Sequence, residues 1–422
     1  MTKITTKSEI MAPAGSYEAL QAAINAGAQS IYFGIEQLNM RARAANNFTI
    51  EDLRKIVAIC KDKNVKAYLT LNTIMYDHDL TLLQTICKAA KEAGVAAVIC
   101  SDIAAISYAR SLGLEVHLST QTNVTNIEAV KFYALYADVI VLARELTIQQ
   151  IATICSEIKK QEIKGPGGEL VQIEIFVHGA LCVAVSGKCY MSLGTYNSSA
   201  NRGACLQNCR RSYKIIDEET GDELVVDNKY IMSPKDLCTI GFIDKILEAG
   251  VSVLKIEGRG RAPEYVDMTV KTYREAVVSY YAGTYTPEKV EHWISELEKV
   301  FNRGFWHGGY YLGKKLGEWS GAYGSKATTE KVYLGKVRNY YQKTKVGEFV
   351  MEAGTMNVGD EIYIMGPTTG VVQTTVSSLM LNEKTVSVAA KGAVITIPIE
   401  EKIRENDQLY KIVERREGVK TA

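Results

Sequence analysis

The residues best suited to chemistry in this chain are five cysteines that lie near one another in its middle. Cys182 and Cys189 are seven positions apart, Cys205 and Cys209 are four apart, and Cys238 follows them. Gly, Ser, Asn and Arg surround most of these cysteines, so they do not read as core positions of a regular helix or strand. A group of thiols in such a segment is typical of a metal site, and thiolate-only ligand sets favour zinc or an iron–sulfur cluster.

Other uses of cysteine compete with an iron–sulfur site. Disulfides require an oxidising compartment, and the first residues, MTKITTKSEIMAPAG, hold no apolar signal segment. Structural zinc sites use short C-x₂₋₄-C pairs, which only Cys205 and Cys209 approach, so the spacing favours iron–sulfur and leaves zinc open. Cysteine also packs as a small hydrophobic residue. That use fits the cysteines that stand singly among apolar neighbours, namely Cys60, Cys87, Cys100 and Cys155.

Short β-branched runs alternate with amphipathic stretches over residues 9–283. The runs are nearly continuous in hydrophobic residues, which indicates strands buried on both faces of a parallel sheet. Eight strands, each followed by a helical pattern, predict a (β/α)₈ TIM-like barrel over residues 1–290. A doubly wound open sheet is the alternative, because repeated βα units do not prove closure. The predicted strands are 9–13, 30–34, 66–72, 96–102, 115–121, 138–145, 172–179 and 252–258.

The active site of such a barrel lies at the carboxyl ends of its strands. The insertion at 180–238 follows the seventh strand, so the cysteines are expected to lie over the carboxyl ends of the strands. Polar residues at the strand ends are our candidates for substrate binding: Asn72, His117, Gln121, Arg144, Glu145 and Arg259. His178 and Glu257 are the candidate catalytic residues, since an acid or base at a strand end suits proton transfer. Each of these residues could instead serve as a helix cap, an ion pair or another structural group.

The remainder of the chain changes character twice. Residues 291–329 are rich in glycine and aromatic residues and are predicted as a linker, whose aromatic side chains either pack on the barrel or stack on RNA bases. From 330 to 422 the hydrophobic period becomes two, and short strands between Gly, Asn and Asp turns predict a small β-barrel. Its stretch GDEIYIMGPTTG resembles the β-barrel domain of translation factors. Cations on its first hairpin form either a solvated surface or an RNA phosphate contact: Lys331, Lys336, Arg338, Lys343 and Lys345.

The composition is that of an ordinary globular protein, with 47% hydrophobic residues, 23% charged residues and a net charge of +1 over 422 residues. This length suffices for two domains. A near-neutral charge excludes a strongly basic coat for nucleic acid and leaves room for a local basic groove. Apolar runs are too short to span a membrane. We therefore expect a soluble, cytoplasmic protein without membrane partners, and its oligomeric state is not readable from the sequence.

The segment that begins at Glu174 resembles the signature of a large bacterial family first catalogued as collagenase-like peptidases of unknown catalytic type. The family pattern is E-x-F-x-x-G-[SA]-[LIVM]-C, four residues, then G-x-C-x-[LIVM]-S. It is matched by Glu174, Phe176, Gly179, Ala180, Leu181, Cys182, Gly187, Cys189, Met191 and Ser192. The stretches NRGACLQNCR, SPKDLC, LKIEGR and FNRGF also resemble family motifs, so the resemblance covers about residues 9–420.

This resemblance implies an enzyme that is not a peptidase. Better-understood members are oxygen-independent hydroxylases of RNA or of quinone precursors that hold a [4Fe–4S] cluster on four cysteines. Carried over by motif, the ligands here are Cys182, Cys189, Cys205 and Cys238, and some members use a cysteine at the position of Cys209 instead. The length near 420 residues resembles the branch that hydroxylates C5 of the wobble uridine in tRNA, with prephenate as the apparent hydroxyl source.

The resemblance also suggests roles for the charged residues of the site. Prephenate carries two carboxylates, which guanidinium groups bind through paired, charge-assisted hydrogen bonds. We therefore expect Arg144 or Arg259 to anchor the donor, with Glu257 orienting one of them.

The alternative function is peptidase activity, as the historical family name states, or hydroxylation of another RNA or of a quinone precursor. Against a peptidase, the sequence holds neither an H-E-x-x-H nor a G-x-S-x-G motif.

Overall fold

The structure is a computed structural model, and it describes residues 8–43, 47–221, 223–224, 232–306, 309–313, 318–322 and 324–415. Eight parallel strands of the amino-terminal part pair with their sequence neighbours, and the eighth pairs with both the seventh and the first, which closes the ring. The predicted (β/α)₈ barrel is confirmed, and the open sheet is wrong. The strands are β1 (Glu9–Pro13), β2 (Ser30–Phe33), β3 (Lys66–Leu71), β4 (Ala97–Cys100), β5 (Val116–Leu118), β6 (Val139–Val141), β7 (Gln172–Gly179) and β8 (Val253–Ile256).

Helices surround the barrel and alternate with its strands. Most begin at a capping side chain and bury one face. In the second helix, Thr49 and Asp52 form a capping box, and apolar residues from Leu53 to Cys60 recur at helical spacing and pack on the strands. The helices are α1 (Tyr17–Asn25), α2 (Ile50–Asp62), α3 (Leu80–Ala93), α4 (Ile103–Ser111), α5 (Ile127–Ala134), α6 (Ile148–Lys160), α7 (Met191–Tyr196), α8 (Ile243–Glu248), α9 (Pro263–Tyr281) and α10 (Pro287–Lys299).

The strand residues separate into two buried sets because successive side chains point to opposite faces of a strand. One set packs against the helices and forms the large core of the barrel. The other points to the barrel axis and consists of Met11, Tyr32, Tyr68, Ala97, Ile99, Val139 and Val253. These axial residues fill the barrel, so a ligand has access only to its ends.

The insertion between β7 and β8 contains little regular structure. It includes α7, a pair of two-residue strands at Ile215–Ile216 and Glu223–Leu224, and the short strand Asp236–Cys238. That last strand runs antiparallel to the end of β7, where Cys238 pairs with His178. The insertion therefore starts at the carboxyl end of β7, as the sequence predicted, and it also returns there.

The stretch after α9 packs on the barrel. Helix α10 runs across the predicted boundary at residue 290, so the glycine- and aromatic-rich connection begins only after Lys299. The two-residue strand Phe305–Trp306 pairs with Asp236–Cys238. Phe305, Trp306 and Tyr311 are buried, which makes them packing residues and removes them as candidates for stacking on RNA.

The carboxyl-terminal part is an antiparallel all-β region, as predicted. The strands are β9 (Thr329–Tyr341), β10 (Val346–Met351), β11 (Thr355–Asn357), β12 (Glu361–Gly366), β13 (Gly370–Thr375), β14 (Leu379–Leu381), β15 (Lys384–Val386), β16 (Val388–Ala390), β17 (Val394–Pro398) and β18 (Gln408–Glu414). The main sheet has the order β13-β12-β18-β9-β10-β17-β14-β15, and β11 pairs separately with β16. A small hydrophobic core of its own lies within the region.

A second, smaller apolar contact attaches this region to the outside of the barrel. Ala22 of α1 packs with Tyr363, Met365 and Val371. The approach is close, because a Cβ added at Gly370 would lie 2.9 Å from the backbone nitrogen of Ala22.

Candidate functional site

A cavity of about 220 Å³ opens at the carboxyl ends of the barrel strands, under the cysteine-bearing insertion. Its lining combines residues of β2, β3, β4, β7 and β8, residues of the loops that follow barrel strands, and residues of the insertion. Among them are Tyr32, Arg41, Thr70, Asn72, Gln121, Arg144, Phe176, Cys182, Cys205, Cys209, Arg210, Lys255, Glu257, Arg259, Arg261 and Arg303. The cavity therefore lies at the end of the barrel where the sequence predicted the site, which is the end that barrel enzymes use.

The cavity is strongly cationic. Seven arginine or lysine side chains line it, against the single lining carboxylate of Glu257 within the described residues. Three of the seven have salt bridges: Arg41 to Glu257, Lys255 to Glu174, and Arg303 to Asp236. The other four have no salt bridge in the part of the chain that the structure describes. An excess of fixed positive charge in a concave, poorly solvated site attracts anions.

Arg259 is the most enclosed of the cations without a salt bridge. It is 6% exposed, and its Nη1 donates to Asn39 Oδ1 and Thr70 Oγ1, each at 3.0 Å. Burial lowers the pKa of Arg259 to about 10, which still leaves the guanidinium charged at neutral pH. Gly34 makes room for it, because a Cβ there would lie 2.4 Å from Arg259 Nη1. A buried guanidinium with only neutral partners is suited to an anionic ligand.

Arg144 lies at the edge of the same cavity and is more exposed. Its Nη2 donates to Ser186 Oγ at 2.8 Å, and its guanidinium carbon lies 5.8 Å from the centre of the Phe176 ring. Ser186 belongs to the insertion, so Arg144 links β6 to the segment that carries the cysteines. Both predicted anchoring arginines thus reach one cavity.

Glu257 is paired with a different arginine from those expected. Arg41, from the long loop after β2, donates from Nη2 to Glu257 Oε1 at 2.6 Å. Burial acts to raise the pKa of Glu257, but Arg41, with smaller contributions from Arg259 and Arg144, lowers it to about 2. The carboxylate is therefore ionised throughout the neutral range, and it is better suited to holding Arg41 than to donating a proton.

Lys255 lines the cavity and forms an ion pair with Glu174, and neither residue was predicted from the sequence as part of the site. Lys255 Nζ lies 2.6 Å from Glu174 Oε1, and both side chains are almost completely buried. The same ammonium lies 4.7 Å from the centre of the Tyr32 ring. The available signal was a charged residue in the middle of each hydrophobic strand, VLKI and QIEIF. Charges at such positions are rare unless they are paired.

Four cysteines of the insertion form one group. Cys182, Cys205 and Cys209 line the cavity. Burial and then the neighbouring thiols Cys182 and Cys205 raise the pKa of Cys189. Burial raises the pKa of Cys209 to about 11, with further contributions from the other three thiols. Among the described residues, no three cysteine, histidine or carboxylate side chains meet closely enough to hold a single metal ion.

Cys238 does not belong to this group, and the ligand set Cys182, Cys189, Cys205 and Cys238 implied by the sequence motif stays a prediction. It is fully buried on the strand Asp236–Cys238, and Tyr273 of α9 interacts with its thiol. Burial raises its pKa to about 12. The structure brings Cys209 to Cys182, Cys189 and Cys205 instead. Cys238 lies within the barrel wall because its strand pairs with the end of β7.

The insertion is held over the cavity by Arg210. Its Nη1 donates to Ser233 Oγ at 3.0 Å and to the Pro234 carbonyl at 2.6 Å, and its Nη2 donates to the Leu181 carbonyl at 2.5 Å. These bonds join the residue after Cys209 to the residue before Cys182. The two ends of the cysteine group are thereby fixed relative to each other.

His178 is not in the cavity lining. Its ring lies among Tyr265, Tyr273 and Phe305, and Nδ1 is 3.4 Å from the Tyr273 hydroxyl. Alternation from Glu174 and Phe176 would point His178 into the barrel. A β-bulge prevents this, because Phe176 pairs with Lys255 whereas His178 pairs with the next residue, Ile256. Bulges re-aim side chains in this way, and the candidate catalytic role of His178 is not supported by its position.

His117 and Glu145 are also misplaced by the sequence prediction. His117 Nε2 lies 2.9 Å from Glu115 Oε1, and its ring packs on Tyr68, whose hydroxyl donates to Glu9. Glu9 and Glu115 stand at the amino ends of their strands, so His117 belongs to the opposite end of the barrel from the cysteines. Glu145 is exposed and does not line the cavity.

Asn72 and Gln121 are in the lining, as predicted. Asn72 Nδ2 donates to Ser119 Oγ at 3.2 Å, and its Oδ1 accepts from the Met40 backbone. Ser119 Oγ also donates to Gln121 Oε1. This short series of hydrogen-bonded side chains links the loops after β2, β3 and β5 along one side of the cavity.

No helix in the described part of the chain combines the length and apolar character needed to cross a membrane.

Comparisons with known proteins give the chain its family. The profile of peptidase family U32 matches residues 15–321. A protein from Porphyromonas gingivalis named collagenase is 56% identical over 409 residues, which are 97% of this chain and 99% of that protein. The tRNA hydroxylation protein P1 of Bacillus subtilis is 32% identical over 375 residues, 86% of this chain and 85% of that protein.

A third relative acts on a different RNA. The 23S rRNA 5-hydroxycytidine C2501 synthase of Escherichia coli is 32% identical over 314 residues, which are 72% of this chain and 45% of that longer protein. The family match extends from the end of β1 through the cysteine insertion to the connection that packs on the barrel. This chain belongs to peptidase family U32.

Proposed function

We propose that this protein is an enzyme that hydroxylates tRNA at C5 of the wobble uridine without molecular oxygen, using a small dicarboxylate that resembles prephenate as the apparent source of the hydroxyl group. The observation that carries the proposal is the placement of a cavity with an excess of arginines directly beneath four grouped cysteines. Relatives named for tRNA and rRNA hydroxylation, which cover most of this chain, support the reaction class.

The arginines account for the binding of the donor. A dicarboxylate needs two cationic partners, and bidentate guanidinium–carboxylate pairs are the strongest available. Arg259 and Arg144 supply them, because neither has a salt bridge to a described residue and each is held by neutral hydrogen bonds. Arg41 is less available, since Glu257 already occupies its guanidinium. Phe176 and Tyr32 add aromatic ring surface to the lining of the same cavity.

The four grouped cysteine thiols of the insertion fit a [4Fe–4S] cluster. Cys182, Cys189, Cys205 and Cys209 would hold it, and four cysteine thiolates are the usual ligands of such a cluster. The neighbouring thiols contribute to the raised pKa values of Cys189 and Cys209, but among the described residues no three ligand side chains meet as closely as the ligands of a single metal ion do. A cluster with several irons suits this arrangement, because each thiolate binds a different iron. With every iron bound by a cysteine, the group would supply electron transfer or structural support.

The protein's own groups would orient the reactants. Replacement of the C5–H bond by C5–OH oxidises the base by two electrons, so the donor must be reduced by two electrons as its own C–OH bond breaks and the hydrogen lost from C5 is taken up. The base and the donor must therefore meet in one site. Lys255 and the Tyr32 hydroxyl are the proton-bearing groups at the cavity floor, and Tyr32 donates to the Ile256 carbonyl at 2.8 Å. Glu257 keeps Arg41 in place rather than transferring a proton, since its pKa is about 2.

Peptidase activity is the alternative, on account of the relative named collagenase. An activated serine or cysteine nucleophile needs an adjacent base, most often histidine. No histidine is among the described residues that line the cavity, and His178 and His117 are buried elsewhere. The cavity chemistry therefore favours binding of a small anion over peptide hydrolysis. Hydroxylation of another RNA or of a quinone precursor would use the same site.

The test uses a bacterial strain whose own tRNA uridine hydroxylation genes are deleted. Expression of this protein is expected to restore 5-hydroxyuridine in tRNA, measured by mass spectrometry of nucleosides, in cells grown without oxygen. The purified protein is expected to leave gelatin intact. Gelatin cleavage that survives Cys182→Ser, with no restored nucleoside, would establish the peptidase instead.

A further inference from the structure

We propose that the surface around the mouth of the cavity binds a single-stranded RNA loop through tyrosines that stack on its bases and arginines that contact its phosphates. This inference rests on the proposed RNA-directed function and deepens it by assigning the RNA contact. The surface, called here the aromatic rim, consists of Arg43, Tyr76, Tyr190, Tyr196, Arg202 and Arg211.

The rim contains two exposed tyrosines that each lie against an arginine. The guanidinium carbon of Arg202 lies 3.9 Å from the centre of the Tyr76 ring, and that of Arg211 lies 5.2 Å from the centre of the Tyr196 ring. Tyr76 and Tyr196 are nevertheless 51% and 48% exposed. Exposed aromatic side chains that cluster with cations around a cavity mouth mark a candidate interaction surface. Each cation–π pair fixes its ring and leaves ring surface accessible for a base.

Tyr190 adds a third exposed ring. It is 72% exposed, more than the other two rim tyrosines, and it precedes α7 in the insertion. It stands next in the sequence to Cys189, one of the four grouped cysteines. The exposed tyrosines therefore occur on both the barrel loop after β3 and the cysteine-bearing insertion.

Chain connectivity places the rim beside the cavity mouth. Arg43 follows the lining residue Arg41 by two positions, and Arg211 follows the lining residue Cys209 by two. Hydrogen bonds join the loops: the Arg43 backbone nitrogen donates to the Gly203 carbonyl at 3.2 Å. The Ile74 nitrogen likewise donates to the Asn201 carbonyl at 3.2 Å. An RNA loop on the rim would thus present one base at the opening of the cavity.

The rim cations are available to phosphates. Arg43 and Arg211 are exposed and have no salt bridge within the described ranges, their side-chain hydrogen bonds going to Ser198 and Tyr196 hydroxyls. Arg202 forms a salt bridge with Asp79, whose Oδ2 lies 2.6 Å from Arg202 Nη1. A cation without a carboxylate partner gains a phosphate contact at no loss of an existing ion pair.

The hairpin of the carboxyl-terminal region is a weaker candidate for the same contact. Four of its five cations already face carboxylates. Lys331 pairs with Glu264 at 2.9 Å, and Lys336 pairs with Glu352 at 3.2 Å. The remaining pairs are Arg338 with Glu348 and Lys345 with Glu400. The observed charge pairing therefore favours the rim over this hairpin as the principal RNA surface.

The chemistry of the rim indicates a single-stranded loop rather than a duplex. Bases within a duplex are stacked on each other and hide their faces, whereas bases of a loop can stack on tyrosine or arginine planes. Such stacking is tolerant of sequence and weakens markedly when the aromatic side chain is removed. A loop also allows one base to leave its neighbours and enter a cavity.

The test measures binding of a fluorescent anticodon stem–loop RNA to the anaerobically purified full chain. We expect Tyr76→Ala and Tyr196→Ala each to raise Kd about tenfold. Tyr76→Phe keeps the ring and is expected to bind as the wild type does. The double variant Arg43→Glu, Arg211→Glu should reduce the slope of log K against log salt concentration by about 1 to 2.

Lys336→Glu is the matched control, with expected binding equal to that of the wild type. Wild-type binding by both alanine variants, or a larger loss from Lys336→Glu than from the rim variants, would overturn the proposal. Equal binding to a duplex RNA of the same length would also overturn it. The proposed reaction is judged separately: rim-dependent RNA binding without restored 5-hydroxyuridine in cells would leave the rim assigned and reject the hydroxylase.

Discussion

The guanidinium of Arg41 and the carboxylate of Glu257 meet at 2.6 Å across 216 positions of sequence, joining the loop after β2 to the end of β8. Barrel closure brings these loops together, because β1 lies between β2 and β8 in the sheet. The pair sets the charge of the cavity wall. It holds Arg41 in an ion pair, whereas Arg259 and Arg144 have no salt bridge to a described residue.

The Arg41–Glu257 pair should make stability depend on acid in a defined range. The pKa of Glu257 falls from an ordinary 4.5 to about 2 in the folded protein. Its contribution to the free energy of unfolding is therefore present above about pH 4.5 and is lost as the pH falls towards 2. Glu257→Gln should lower that free energy at pH 7 by about 3 kcal/mol. Urea unfolding should show the wild type and the variant converging between these two pH values, and a difference independent of pH would contradict the assignment.

The Lys255–Glu174 pair should behave as a coupled buried unit. Lys255→Met leaves the Glu174 carboxylate buried without its cation, so we expect a loss of about 3–5 kcal/mol in the free energy of unfolding. The double variant Lys255→Met, Glu174→Leu removes both charges and should recover much of that loss. A double-mutant cycle by urea unfolding measures the coupling. Single variants that each cost under about 1 kcal/mol, with additive effects, would show that the pair is unimportant.

The cysteine group should decide iron content. Cys182→Ser, Cys189→Ser, Cys205→Ser and Cys209→Ser should each lose the cluster from protein purified without oxygen, whereas the wild type should hold about four irons per chain. Cys238→Ser and the buried control Cys155→Ser should retain iron. Loss of iron from Cys238→Ser but not from Cys209→Ser would restore the ligand set that the sequence motif implied. Stoichiometric zinc without iron would reject an iron–sulfur site.

Gly34 should be as sensitive as the arginine it faces. A methyl group at this position would come within 2.4 Å of Arg259 Nη1 and 2.7 Å of Asn39 Cγ, so Gly34→Ala must displace the guanidinium. We expect tRNA hydroxylation to fall at least about tenfold with iron retained, the loss typical of a misplaced binding group. Gly241→Ala is the control for a glycine substitution, because its φ is not positive and the nearest atom to the added methyl group, Val290 Cγ1, lies at an ordinary contact distance of 3.7 Å. Normal hydroxylation with Gly34→Ala would mean that Arg259 can move without consequence.

The barrel could be predicted from sequence because its strands are buried on both faces and therefore read as continuous hydrophobic runs. Because Asn72, Gln121, Arg144 and Arg259 follow the carboxyl ends of predicted strands, the sequence also placed them at the end of the barrel where the cavity lies. His178 was mispredicted because a bulge at the end of β7 reverses the face of its side chain, and bulges leave no hydrophobic period to read.

The fourth cysteine could not be chosen from spacing. Cys209 and Cys238 are both possible continuations of the motif, and the choice depends on where the chain returns to the barrel. Pairing of the strand Asp236–Cys238 with β7 buries Cys238 in the wall, a long-range contact without a local signal. The presence of an ion pair at Lys255 could have been predicted from the sequence, since a lysine in a buried strand requires a charged partner.

The most direct measurement of the central claim is the amount of 5-hydroxyuridine in tRNA from the deletion strain that carries Arg259→Lys. Lysine keeps the charge but loses the planar fork that binds a carboxylate through two hydrogen bonds. We predict a decrease of at least about tenfold relative to the wild type, with iron content unchanged, and the same loss for Arg144→Lys if both carboxylates of the donor are held. Arg54→Lys, at an exposed surface pair with Glu92, should restore the nucleoside fully. Wild-type levels of 5-hydroxyuridine with both Arg259→Lys and Arg144→Lys would contradict a role for this cavity in the reaction.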